Sequence, residues 1–301
     1  RTGYRTIGRD MDPHDPEVVT FLLVLPGVGQ SLRSRLGLRR SGLGGYWAWD
    51  PVENAALMPW LTSTAFLHSV VIQEKKGMLK VWNMSLVILT FSLTIFGTFL
   101  TRSGVISSVH SFTQSGLGPF FLYFLLAMIV ISVGLLLWRL PLLKSRNELE
   151  SVFSREAAFL LNNLIFVSIA FTVFWGTMFP VITEWVRGVK ITVGPPFFNR
   201  VNAPLALALV FLMGVGPVIA WRRATWSSLK RSFAWSGGFG LLVGSLSLFL
   251  DGGNFYSTVA FSIAAFALAA VWVEFWRGMR VRQRNMGEKP WTALSRLIGK
   301  N

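Results

Sequence analysis

The sequence predicts an all-α, polytopic membrane protein of about seven transmembrane helices carrying an outward-facing aromatic loop. Three observations support this. The 301 residues are 52% hydrophobic, 14% aromatic and only 14% charged, more apolar than a soluble core requires. Apolar runs near twenty residues recur, the length that crosses about 30 Å of hydrocarbon. Basic residues gather in alternate connections between those runs, the pattern that orients a chain in a bilayer.

Residues 1–43 form an atypical N-terminal segment. Their one apolar run, at 18–25, is too short to span and ends at Pro26-Gly27, so the segment reads as truncated or disordered. Spans are expected at 55–73, 79–101, 119–138, 157–179, 204–221, 234–250 and 256–276. The first is the most polar, with Thr62, Ser63, Thr64, His68 and Ser69. The sixth is glycine-rich and ends at Asp251-Gly-Gly, a turn signal. Residues 181–203 read as an outward loop. Residues 44–276 thus form one transmembrane domain, and 277–301 a basic cytoplasmic segment.

Lys and Arg set the orientation. One side carries Lys75, Lys76 and Lys80; Arg139, Lys144, Arg146 and Arg155; Arg222, Arg223, Lys230 and Arg231; and seven more between Arg277 and Lys300. The other side has only Arg102, Arg187, Lys190 and Arg200. The positive-inside rule places the eighteen in the cytoplasm, which in a bacterium puts the chain in the inner membrane with residues 44–50 facing the periplasm. The net charge of +15 is therefore sidedness, with the lipid bilayer as the surrounding medium and no nucleic-acid partner.

The absence of cysteine excludes disulfides, thiolate metal sites and a cysteine nucleophile. No phosphate-binding loop, HExxH or dinucleotide fingerprint is present. A secondary transporter would show inverted repeats or broken spans near the midplane, and neither is visible.

The most informative stretch is Gly44 to Trp60, GGYWAWDPVENAALMPW. Asp50 is a favoured N-cap, Pro51 a favoured first helical residue, and Glu53 completes a capping box. Capping alone accounts for the two carboxylates but not for Tyr46, Trp47 and Trp49 beside them. In extended backbone the two indoles would project to one side, forming an aromatic shelf for a flat, partly apolar ligand. An interfacial aromatic belt is the simpler alternative.

His68 is an ionisable group within a span, which makes it a functional candidate; a neutral histidine bonded to a neighbouring helix is the alternative. Seventeen residues beyond Pro51, it lies about 25 Å along the helix from the shelf. His110 shares the outward side with the shelf and Arg102. Arg102 either marks the membrane boundary or pairs with an anionic group such as a propionate. Aromatic planes with isolated histidines match haem better than other cofactors.

These residues carry a family resemblance. GGYWAWDPVEN resembles the WWD signature of the haem-handling superfamily of cytochrome c maturation. MPWLTSTAFLHS, the EKKG turn, FSLTIFGTFLTRSGVISSVHSF and GPPFFN (Gly194 to Asn199) are similar to its larger, CcmF-type members. The resemblance covers roughly Gly42 to Trp221. It implies the membrane subunit of a cytochrome c haem lyase, which takes haem from the chaperone CcmE and attaches it to CxxCH of apocytochrome c alongside CcmH/CcmG-type subunits. It further implies that Tyr46, Trp47, Trp49, Asp50 and Trp60 belong to the surface holding haem in transit, with Arg102 nearby. His110 would be an axial ligand there, and His68 an axial ligand of a separate resident haem b. Leu43 stands where relatives commonly have Trp, and the outward HPP segment and second intramembrane histidine of the family are absent. The chain is accordingly expected to be an internal fragment or the product of a damaged gene, with one of two histidines for each haem. A shorter, CcmC-type haem transfer protein is the alternative.

Overall fold

A computed structural model describes residues 47–105, 116–143, 154–216, 226–250 and 254–298. The described residues form eight helices and no strand: α1 (Pro51–Lys76), α2 (Lys80–Ser103), α3 (Gly118–Leu143), α4 (Arg155–Arg187), α5 (Pro195–Val215), α6 (Trp226–Leu250), α7 (Phe255–Met286) and α8 (Pro290–Ile298). Seven of them are long and apolar enough to cross a membrane, as the sequence predicts.

Several boundaries differ from expectation. Helix α4 runs to Arg187 through Pro180, and α5 starts at Pro195, so the predicted loop at 181–203 shrinks to a short connection. The Pro195-Pro196 pair reads as a breaker, yet proline suits the first helical turn, where its missing N–H is not needed. Helix α7 continues past Trp276 to Met286; Arg277, Arg280, Arg282 and Arg284 extend it as a polar helix rather than ending it. The Asp251-Gly-Gly signal lies outside the described residues.

The chain divides into two compact units. Residues 1–145 and 170–198 form the first. Its α1 and α2 are antiparallel, joined where Gly77, at φ 67°, caps α1 in the left-handed conformation, which glycine adopts without steric cost. Close approach follows from small residues: a Cβ added at Gly97 would stand 3.3 Å from that of Ala55. Met58, Ala65 and Val173 are wholly buried, and Phe96 packs on Phe174 with centroids 5.2 Å apart. Near the other end, Ser69 donates to Asn83 Oδ1 and Asn83 Nδ2 to Gln73 Oε1 at 2.7 Å. Helix α3 instead exposes large side chains such as Phe120, Tyr123, Val130 and Trp138, as a lipid-facing helix does.

Residues 146–169 and 199–301 form the second unit. There Gly240 and Gly244 of α6 face α7. An added Cβ at Gly240 would lie 2.8 Å from the Ser262 carbonyl oxygen, and one at Gly244 would collide with the Ser262 hydroxyl. This small-xxx-small spacing brings membrane helices into backbone contact. Phe266 fills the seam between Phe211, at 5.2 Å, and Phe233, at 5.8 Å.

Candidate functional site: an aromatic shelf on a capped span

The shelf is built on the first turn of α1. Asp50 Oδ2 accepts from Val52 N at 3.0 Å. Glu53 Oε2 accepts from Asp50 N at 3.2 Å and from Ala48 N at 3.1 Å. The predicted capping box is therefore present, and both carboxylates fasten the segment before α1 to its N-terminus. An N-cap of this kind stabilises a helix by about 1 kcal/mol.

Trp49 departs from the extended backbone expected for it. Its φ is +58°, a left-handed conformation that is an outlier for a bulky aromatic, costs about 1–3 kcal/mol and persists only where neighbours enforce it. Two groups do. Asn54 Nδ2 donates to the Trp49 carbonyl oxygen at 3.1 Å, and the indole stacks on Phe198 with centroids 5.0 Å apart and planes 11° from parallel. The left-handed residue turns the chain, so Trp47 does not project parallel to Trp49. It meets Trp49 edge-on, 5.9 Å away at 88°, and remains 42% exposed. The shelf is thus an L: one indole seated in the protein, the other open.

Below it, α1 and α2 leave a groove of about 530 Å³ lined by Val52, Pro59, Trp60, Thr94, Gly97 and Thr101 among others. Trp60 is 39% exposed on its wall. Arg102, next to Thr101, is exposed in the last turn of α2. Lys190 Nζ donates to the Val105 carbonyl oxygen at 3.2 Å and lies 4.0 Å from Glu184 Oε2. The connection after α4 is thereby tied to the end of α2.

His68 sits in the C-terminal half of α1, half-buried and beside Ser69 of the Ser69–Asn83–Gln73 cluster. Among the described residues it is the sole histidine, and no three His, Cys, Asp or Glu side chains converge on a metal position. Tyr46 and His110 lie outside the described residues. The geometry therefore joins Trp47, Trp49 and Asp50 in one site, sets Trp60 on the groove of the same helix, and keeps His68 apart.

Sequence reasoning missed Asn54, Gly176, Thr177 and Phe198, all of which bear on Trp49. Of these, Asn54 lies in GGYWAWDPVEN and Phe198 in GPPFFN, both quoted only as markers of resemblance, whereas Gly176 and Thr177 lie in no motif that the sequence singles out.

The fold and site define a polytopic helical membrane protein with a capped aromatic shelf at one end of a span. Residues 39–106, which contain that shelf, match the model of the cytochrome C assembly protein family. The chain is similar to CcmF-type cytochrome c biogenesis proteins. It is 42% identical over 230 residues to CycK of Bradyrhizobium diazoefficiens, covering 76% of this chain and 35% of that protein. It is 41% identical over 184 residues to CcmF of Escherichia coli, covering 60% and 28%. The solved structure of a cytochrome c haem lyase CcmF matches with a TM-score of 0.64 and 33% identity, covering 89% of this chain and 42% of that one. The chain thus spans about a third of the length of the relatives it matches.

Proposed function

We propose that this chain is the haem-handling part of a cytochrome c haem lyase membrane subunit. The observation that carries the reading is the L-shaped pair Trp47–Trp49, fixed on a capped span and half open to a planar ligand. In this reading the shelf faces the periplasm, which the eighteen-to-four partition of basic residues favours, and the membrane is the bacterial inner membrane. Haem is the substrate there, delivered by a CcmE-type chaperone and attached to CxxCH of apocytochrome c with other maturation subunits.

The residues fit such a ligand. Trp47 offers an exposed ring face for stacking; Trp49, pinned in place, sets its angle. Arg102 can pair with a carboxylate at the outward end of α2, and the family resemblance would add Tyr46 and His110, which lie outside the described residues. Because the chain contains no cysteine, the thioether sulfurs come from the cytochrome, and the chain's work is positioning. Asp50 acts as the cap that fixes the shelf. His68, half-buried on α1, would supply one imidazole to a resident haem b. That group would contribute one-electron chemistry when bound, and His68 would help to hold it.

Trp47→Ala with Trp49→Ala should abolish covalent cytochrome c, scored by haem-stained gels of cells relying on this chain, and leave a His68-dependent Soret band. Undiminished cytochrome would refute the shelf. Haem retained and exchanged without any cytochrome dependence on Trp47 would favour a CcmC-type transfer protein.

A further inference from the structure

The turn Gly176-Thr177 of α4 holds Trp49 by both ends. The backbone end runs through Asn54. Thr177 Oγ1 donates its hydrogen to the Val173 carbonyl oxygen at 2.7 Å, so its oxygen accepts from Asn54 Nδ2 at 3.1 Å. The same Nδ2 donates to the Trp49 carbonyl oxygen. Two acceptors therefore fix which face of the amide points to Trp49, and Asn54 itself is only 1% exposed.

The side-chain end runs through Phe198. This ring is 2% exposed, lies edge-on to Phe197 at 5.3 Å and 79°, and stacks on the Trp49 indole. It can do so because residue 176 has no side chain. A Cβ there would come within 2.5 Å of Phe198 Cε1 and 2.9 Å of Phe197 Cε1, closer than carbon atoms tolerate. Gly176 thus provides the seat, Phe198 the stacking plane and Thr177 the hydrogen-bond base, all converging on a residue whose backbone is left-handed. A conformation of this cost persists only where its surroundings determine it.

We infer that Phe198, Thr177 and Gly176 are positioning residues for the haem shelf. They set the plane of Trp49 and, through its edge contact, the angle at which Trp47 meets a planar ligand. The inference rests on the haem reading above but names residues that touch Trp49 or its neighbours rather than the ligand. It also accounts for the GPPFFN motif, whose second phenylalanine is the underside of the shelf.

The test uses the whole chain in lipid nanodiscs and two measurements. Near-ultraviolet circular dichroism of the haem-free protein reads the Trp47–Trp49–Phe198 geometry. Soret titration with haem, in a His68→Ala background, reads affinity at the shelf. Phe198→Leu and the isosteric Thr177→Val should each give the dichroism change produced by Trp49→Phe and add nothing to it in double variants. Haem affinity should fall about three- to tenfold, the scale of one aromatic contact, and Phe198→Tyr should return it to within about twofold. Thr177→Val keeps the test valid if Phe198→Leu does not fold.

Unchanged dichroism in both variants overturns the inference. So does a dichroism change with undiminished haem affinity, provided Trp47→Ala weakens binding, and the shelf reading then stands alone. If Trp47→Ala itself leaves affinity unchanged, the shelf reading fails and the inference with it.

Discussion

Two helix pairs in this chain solve the packing problem in opposite ways. Helices α6 and α7 close completely: Gly240 and Gly244 bring the backbones together, and Phe266 fills the seam. Helices α1 and α2 touch at Gly97 and Ala55 but leave the groove walled by Trp60 and Thr94, with a strained tryptophan just before the start of α1. Lipid tails are as apolar as leucine, so complementarity rather than hydrophobic burial drives both contacts. The closed pair has the character of scaffold. The pair that keeps space and strain is where a ligand has something to gain.

The largest effect expected from that contrast is in the closed pair. Gly244→Leu forces side-chain atoms into Ser262, and with no slack in the seam the cost should approach about 3 kcal/mol, the upper range for overpacking. Thermal unfolding of the purified chain measures it. Gly97→Ala in the open pair places its methyl 3.3 Å from Ala55, which the groove can relieve, so its cost should stay below about 1 kcal/mol. Equal losses would erase the distinction between the pairs.

Next in size is the polar tie. Asn54→Leu removes the donor to both Trp49 and Thr177 at a site almost without solvent, for about 1–3 kcal/mol including the stranded acceptors. Beyond the stability loss, protection of the Trp49–Asp50 amides in hydrogen exchange should fall more than that of the Phe266 region. Uniform loss along the chain would mean that the shelf has no local stability of its own.

The contrast also explains which features were legible in the sequence. All seven long helices follow from apolar runs and the polar or glycine signals between them, because span length is set by the bilayer. Asp50, Pro51 and Glu53 announced the start of α1, since capping is local chemistry. The shelf's geometry was not legible. Trp49 alternates with Trp47 as a strand residue would, and that alternation does not predict the left-handed backbone that its bond from Asn54 and its stack on Phe198 accompany. The Asn54–Thr177 bond joins residues 123 positions apart, a separation that no local pattern encodes. The start of α5 was misplaced for the opposite reason: two prolines and two phenylalanines resemble a loop until Phe198 is seen to be buried.

The smallest effect lies beyond the apolar part of α7, where α8 folds against it. Glu288 accepts from Arg282 Nε at 2.9 Å and Nη2 at 3.0 Å, and also pairs with Arg296 of α8. The hydrogen bonds from Arg282 are the main cause, with those from Arg296 adding to them, of a carboxyl pKa lowered from 4.5 to about 2. A depressed acid stabilises while ionised, so the tie is fully present above about pH 4.5 and is lost as pH falls through about 2. Proteolytic nicking between α7 and α8 should therefore rise below pH 4.5 in the wild-type chain. Glu288→Gln should nick readily at every pH and salt concentration, whereas nicking of the wild-type chain should rise with salt, chiefly because the exposed Arg296 arm of the tie is screened. Nicking that is independent of pH in the wild-type protein would show that α8 is held by its apolar contacts alone, as α6 and α7 are held by theirs.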